Sequence, residues 1–307
     1  CVLLTMSMTA ALGGIRGGIA LPLSRTEPQV TNDLEYGRAD GESLRLDLYV
    51  PAHDLFPTVH PALIFVHGGG WSGGDKGEYT DKAQEMAGRG YVTMTVNYRL
   101  VPKHRYPAAV QDVQAAVRWA RSHAAEYSID PARIGAIGAS AGGHLVSMLG
   151  VKEMPDEAGK LDKFSARVAC VVDYYGREDL NLEPTGTGFF DYRQGFIGKT
   201  KAEAPQLYTE ASPITYVDKR SAPFLILQGA RDTQVQPIQS QILLAALDKA
   251  GVEASLLLLA GAGHGFGGQP GDTAWDTAKA FLDRHLHPVP LMDITPFVKS
   301  PNFVQAR

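Results

Sequence analysis

Two serines in this sequence sit at the centre of a Gly-x-Ser-x-Gly pattern: Ser72 in Gly70-Trp71-Ser72-Gly73-Gly74 and Ser140 in Gly138-Ala139-Ser140-Ala141-Gly142. A serine hydroxyl attacks a carbonyl when a strained strand-to-helix turn lifts it clear of the backbone and a neighbouring imidazole takes its proton. Only Ser140 has that setting. The run RIGAIGA precedes it as a strand, and AGGHLVSMLG follows as a small-residue entry to a helix, whose N-terminus faces developing negative charge. Gly138 and Gly142 let the backbones approach there. Ser72 lies in a glycine loop with no helix behind it and reads as structural or pocket-lining.

A base for Ser140 has to come from a histidine that follows a late acid, which leaves His264, His285 and His287. His264, in GAGHGFGG directly after SLLLLA, stands at a strand end, where an open α/β sheet gathers its catalytic groups. His285 and His287 fall on or after the terminal helix, two residues apart, and read as surface residues. Asp232, in GARDTQV after FLILQ, is the expected partner that orients the imidazole. Asp173, at the end of VACVV, is the rival from an earlier strand end with a longer reach.

Strand ALIFV runs into His67-Gly68-Gly69-Gly70-Trp71, a loop whose glycine amides can point inward unobstructed. With the amide of Ala141, the residue after the nucleophile, those of Gly69 and Gly70 form a candidate oxyanion hole. Trp71, Phe189, Phe190 and Tyr192 are candidates for the acyl-pocket wall. His144 stands one helical turn past Ser140, a position suited to packing near the elbow. Gly198-Lys199-Thr200 lacks the first glycine of a phosphate loop, Gly261-Ala262-Gly263 lacks the third glycine of a dinucleotide site, and the remaining histidines show no metal-ligand spacing.

These residues need a scaffold. Residues 34–50 alternate around a turn-rich ADGES and predict an antiparallel hairpin. Unbroken apolar runs at 62–66, 91–96, 133–138, 168–172, 224–228 and 255–260 predict strands covered on both faces. A helix over 107–124 carries Val110, Val113, Val117 and Ala120 as one stripe; another over 237–250 offers Ile238, Ile242, Ala245 and Ala246, with Gly251 as its stop. The expected fold is a doubly wound, mostly parallel α/β sheet in a catalytic domain over 30–287, with an insertion at 176–222 after the sixth strand. That insertion reads either as a small cap shaping the acyl or alcohol pocket or as edge decoration.

A charged fraction of 20% in 307 residues supplies one large core without requiring two domains. The net charge of -4, with no basic block, argues against nucleic acid or an anionic membrane surface as partner. Cys1 and Cys170 support neither a disulfide framework nor a cysteine metal site. Residues 1–20 read as a signal-peptide remnant, apolar but short for a membrane span, which implies a secreted or periplasmic protein; a natural cytoplasmic N-terminus is the alternative. Residues 288–307, with three prolines, read as an extended tail.

Taken together, HGGGW, VNYRL at 96–100, YPAAVQDVQAAVRWA at 106–120, GASAGGHL, the GARD turn and GAGHGF resemble the esterase branch of the α/β-hydrolases. That branch includes hormone-sensitive-lipase-like esterases and, nearer still, bacterial feruloyl and acetyl-xylan esterases. The resemblance implies Ser140, Asp232 and His264 as triad, Gly69, Gly70 and Ala141 as oxyanion donors, no metal or organic cofactor, and a small-molecule or polysaccharide-linked ester as substrate. Hormone-sensitive-lipase-like members carry Asp before the nucleophile; Ala139 here favours the polysaccharide-esterase branch. An amidase, formamidase or peptidase could use the same groups, and an inactive binding protein on this fold is the non-enzymatic reading. The sequence leaves the acyl group, the alcohol and the oligomeric state open.

Overall fold

The computed structural model describes residues 27–52, 59–182 and 191–287. The expected signal-peptide remnant, the tail at 288–307, and Phe189 and Phe190 lie outside these residues. The hairpin forms from β1 (Gln29–Ala39) and β2 (Glu42–Val50), turning at Asp40-Gly41, where Gly41 takes φ 79°. The apolar runs form β3 (His60–Val66), β4 (Val92–Val96), β5 (Ile129–Ala139), β6 (Cys170–Tyr174), β7 (Phe224–Gly229) and β8 (Ala254–Leu259). The sequence predicts the last covered on both faces, but β8 is an edge strand in which Leu258 is 45% exposed and Leu259 alone is buried. They join in one eight-stranded sheet of order β1-β2-β4-β3-β5-β6-β7-β8. Pairings from β4 through β8 are parallel, and those of β2 with β1 and β4 are antiparallel.

Side chains alternate across the strands, so each run feeds two cores. Ala62, Ile64 and Val66 of β3 face α2 (Ala108–Ser122), α3 (Ala141–Val151) and α6 (Pro237–Ala250). Leu63 and Phe65 face α1 (Thr80–Ala87) and α7 (Gly268–Leu286). Helices on both faces make this a doubly wound α/β fold, which explains why the strands read as continuous apolar runs.

Val110, Val113, Val117 and Ala120 of α2 are all fully buried. In α6 the expected stripe is displaced: Ile238 is 45% exposed, and Gln239, Ser240, Leu243 and Leu247 face inward. The two polar members have buried partners. Gln239 Oε1 accepts from the amides of Glu178 and Asp179, and Ser240 Oγ donates to Gln228 Oε1. Hydrogen bonding selected the face that a purely apolar count assigned to isoleucines. Within the insertion, α4 (Tyr192–Ile197) lays Phe196 on Trp71 at a ring separation of 4.4 Å, followed by α5 (Pro205–Glu210). The described part of the insertion therefore covers the His67–Trp71 loop.

Candidate active site

Neighbouring strands β3, β5, β6, β7 and β8 end along one edge of the sheet, and the residues that follow them meet there. Ser140 occupies the single residue between β5 and α3 with φ 56° and ψ -116°, a conformation that costs a non-glycine residue about 1–3 kcal/mol. Its surroundings enforce the turn. The Ser140 amide donates to the Tyr174 carbonyl at 2.8 Å, and the Ser140 carbonyl accepts from His144 N at 3.0 Å. A Cβ on Gly142 would stand 2.1 Å from the Val66 carbonyl oxygen, and one on Gly138 would stand 2.4 Å from that of Gly142, so β3, β5 and α3 pack at backbone distance.

The Ser140 hydroxyl lies 3.0 Å from His264 Nε2, and His264 Nδ1 lies 2.8 Å from Asp232 Oδ2. Asp232 sits in the turn after β7 with its carboxylate fully buried and satisfied. Oδ1 accepts from the amides of Gln234 and Val235, and Oδ2 accepts from Gln228 Nε2 as well as from the imidazole. An anion so supplied holds His264 with its proton on Nδ1, leaving Nε2 to accept from Ser140. Asp173 is not part of this chain of contacts: its Oδ1 accepts from Gly176 N, on the far side of the strand end. Ser72 is exposed and its hydroxyl donates to the Gly69 carbonyl, a loop contact.

The glycine loop after β3 turns through φ 98° at Gly69, 61° at Gly70 and 57° at Trp71. Ser72 and Gly73 donate back to the Gly69 carbonyl, and a Cβ on Gly69 would stand 2.3 Å from the Gly73 carbonyl oxygen. Tyr98 locks the loop from beneath, donating to the His67 and Gly68 carbonyls while its ring stacks on His67 at 4.3 Å. The amides of Gly69, Gly70 and Ala141 donate to no acceptor among the described residues. Trp71, expected in the acyl-pocket wall, is only 3% exposed: its indole N–H needs an acceptor and finds His144 Nδ1 at 3.3 Å, so the side chain anchors the loop. Tyr192 does reach the site. A Cβ on Gly70 would stand 2.5 Å from its ring.

The BD-FAE family model matches residues 46–247, about two-thirds of the sequence. The chain belongs to the BD-FAE family. It is 33% identical over 232 residues to the esterase LipC of Mycobacterium tuberculosis, covering 72% of this chain and 58% of LipC; it spans about half the length of the curated relatives it matches. Among solved structures, the Thermogutta terrifontis esterase Est2 superposes with TM-score 0.72 at 28% identity, covering 85% of this chain and 94% of Est2. Est2 has also been solved phosphorylated by paraoxon and with propionate or butyrate bound. A truncated carbohydrate esterase from gut microbiota superposes with the same TM-score and identity, covering 86% of this chain and 98% of that one.

The BD-FAE match ends before His264, so it is the loop after β8 that carries His264 to the elbow and completes the contact. Two further residues of this BD-FAE site escaped the sequence reading. Gln228, next to last in β7, is fully buried, and its amide group ties Asp232 to the Gly229 and Val235 carbonyls; a glutamine closing the apolar run FLILQ was the available signal. Tyr175 follows β6 at φ 44° and packs its ring 4.6 Å from that of His264. Burial, with Asp232 as the next contribution, pushes its phenol up to about 12. His144 is fully buried between Trp71 and the Ala211 carbonyl, 2.7 Å from its Nε2, and burial pushes it down to about 4, so it is a neutral loop anchor.

Proposed function

We propose that this chain is a serine ester hydrolase that removes short acyl groups, acetyl to butyryl, from hydroxyls of carbohydrate such as those of plant cell walls. Ser140 is the nucleophile, His264 the general base and acid, and Asp232 the residue that orients His264. As Ser140 Oγ attacks the ester carbonyl, its proton passes to His264 Nε2, and the tetrahedral oxyanion is held by the amides of Gly69, Gly70 and Ala141. Collapse expels the alcohol, which takes the proton from His264. A water molecule then attacks the acyl-enzyme with His264 again as base, releasing the acid. The observation that carries this reading is the run of contacts from Ser140 to His264 to Asp232, 3.0 and 2.8 Å long, beside three amides that donate to no acceptor among the described residues.

What supports a short acyl group is the filling of the oxyanion side by Tyr192 against Gly70, together with the acids bound to Est2. The alcohol leaves past His264, because His264 protonates it. Beside Ala139 and Tyr175, the neighbours of Ser140 and His264, lies a cleft of about 350 Å³ lined also by Tyr79, Tyr174, Phe266 and Trp275, with Asp81, Lys82, Glu85 and Asp272 on its wall. Aromatic faces with charged donors and acceptors beside them suit a sugar ring, whose C–H faces stack while its hydroxyls hydrogen-bond. The carbohydrate esterase neighbour points the same way.

The test is turnover on p-nitrophenyl acetate, butyrate and octanoate, acetylated xylan and methyl ferulate. The proposal expects kcat/KM to fall at least about tenfold from butyrate to octanoate, acetate to be released from xylan, and methyl ferulate to be the poorer substrate. Release of ferulate at a rate exceeding that of acetate would replace the acyl assignment. Inertness toward every ester would remove the activity itself.

A further inference from the structure

Immediately behind the elbow, two carboxyl groups that the triad does not use face one another in the core. Asp173 on β6 and Glu178 in the loop beyond it are both fully buried. Asp173 Oδ1 accepts from Gly176 N at 2.8 Å, and Glu178 Oε1 accepts from Ser147 Oγ on α3 at 3.1 Å. A Cβ built on Gly176 would stand 2.5 Å from each of these two oxygens, so they are no farther apart than twice that distance. A Cβ on Gly143, in the first turn of α3, would stand 2.4 Å from Asp173 Oδ1. The remaining oxygens, Asp173 Oδ2 and Glu178 Oε2, have no hydrogen-bond partner among the described residues.

Two ionised carboxylates this close and this dry would repel, with two orphaned acceptors. One proton between them turns the orphans into a donor and an acceptor. The surrounding charged and titratable groups leave that proton in place. Arg177 turns its guanidinium to the Gln234 carbonyl, Asp232 and Tyr175 lie toward His264, and His144 on α3 is neutral. On α6, Gln239 reaches only the backbone of this loop. Burial is the largest influence on both carboxyls and raises both, Glu178 further under the charge of Asp173.

The segment closed by this pair carries two contacts to the triad. The Tyr174 carbonyl receives the Ser140 amide, and Tyr175, held in the left-handed region at φ 44°, packs its ring against His264 at 4.6 Å. We propose that Asp173 and Glu178 share a single proton and act together as positioning residues, holding the 173–178 turn so that Tyr174 seats Ser140 and Tyr175 seats His264. The inference rests on the hydrolase reading above for its kinetic readout, and a stability readout separates the two.

The experiment measures kcat and KM on p-nitrophenyl acetate from acid to alkaline pH, with thermal midpoints alongside, for wild type, Glu178→Gln and Glu178→Ala. Wild type is expected to lose kcat on the alkaline side as the shared proton leaves, with KM nearly constant. Glu178→Gln supplies a permanent N–H donor to Asp173 and should keep kcat within a fewfold near neutrality while extending the plateau to higher pH. Glu178→Ala leaves Asp173 unpaired and should lower kcat about ten- to a hundredfold with little change in KM. An unchanged alkaline limb in Glu178→Gln would overturn the proposal, as would wild-type kcat and pH profile in a folded Glu178→Ala. If no form turns over any ester, the midpoints still decide. The wild-type midpoint should fall on going alkaline and that of Glu178→Gln should not; equal falls in both would overturn the shared proton.

Discussion

A glycine without a side chain can matter as much as the nucleophile when a catalytic amide must point at empty space. At Gly70 a methyl group would meet the Tyr192 ring at 2.5 Å, in a residue already at φ 61°. Gly70→Ala is therefore expected to turn the loop and withdraw an oxyanion donor, lowering kcat about 100- to 1,000-fold in steady-state assays while the thermal midpoint moves little. Asp232→Asn keeps the shape but lets an amide N–H face His264 Nδ1, favouring the wrong tautomer. A fall in kcat of about 10⁴-fold is expected, measured against wild type on the same ester. At this scale the sequence was informative because chemistry restricts residue types. Ser140, His264 and Asp232 each follow an apolar run, and the structure brings the three within hydrogen-bond reach. What it did not reveal were groups whose task depends on a three-dimensional neighbour: Trp71 meeting His144 across 73 residues, Gln228 meeting Asp232, and Tyr175 meeting His264.

Elements in this fold are tied by buried polar groups as well as by apolar faces. Arg99, just beyond β4, is 4% exposed and pairs with Asp112 on α2, Asp40 at the hairpin turn and Glu157 beyond α3. Asp112 also accepts from the Arg99 amide at 2.7 Å. Asp112→Ala would leave the guanidinium buried without its inner partner, and breaking such a pair costs about 3–5 kcal/mol, to be read from urea unfolding. Activity per folded molecule should persist, since the cluster lies away from Ser140 on the hairpin side. The same principle explains which elements were legible. The central strands β3, β4, β6 and β7 and helix α2 follow their apolar patterns because burial alone decides them, whereas the leucines of the edge strand β8 are mostly uncovered. The buried face of α6 lies one position from its apolar stripe because Gln239 and Ser240 turn inward to satisfy the Glu178 amide and Gln228. A sequence shows how apolar a position is, not which buried donor waits opposite it.

For the whole molecule, the parallel sheet places every candidate catalytic group at one edge, and no helix among the described residues is long and apolar enough to cross a membrane. Its stability should carry the mark of buried neutral groups. His144, pushed from the ordinary 6.5 to about 4 by burial, refuses in the fold a proton that the unfolded chain accepts. Its contribution is complete above about pH 6.5 and declines by up to about 1.4 kcal/mol per pH unit as pH falls toward 4. In His144→Gln, which can accept from Trp71 and donate to Ala211, unfolding free energies at about pH 7.5 and 5 should differ less than in wild type. Whether Ser140 is the nucleophile that His264 activates is decided by mass spectrometry of the protein after paraoxon treatment. One diethylphosphoryl group is expected on the peptide bearing Ser140, present in wild type and Ser72→Ala and absent in Ser140→Ala; label on Ser72, or full labelling of Ser140→Ala, would rule Ser140 out as the nucleophile.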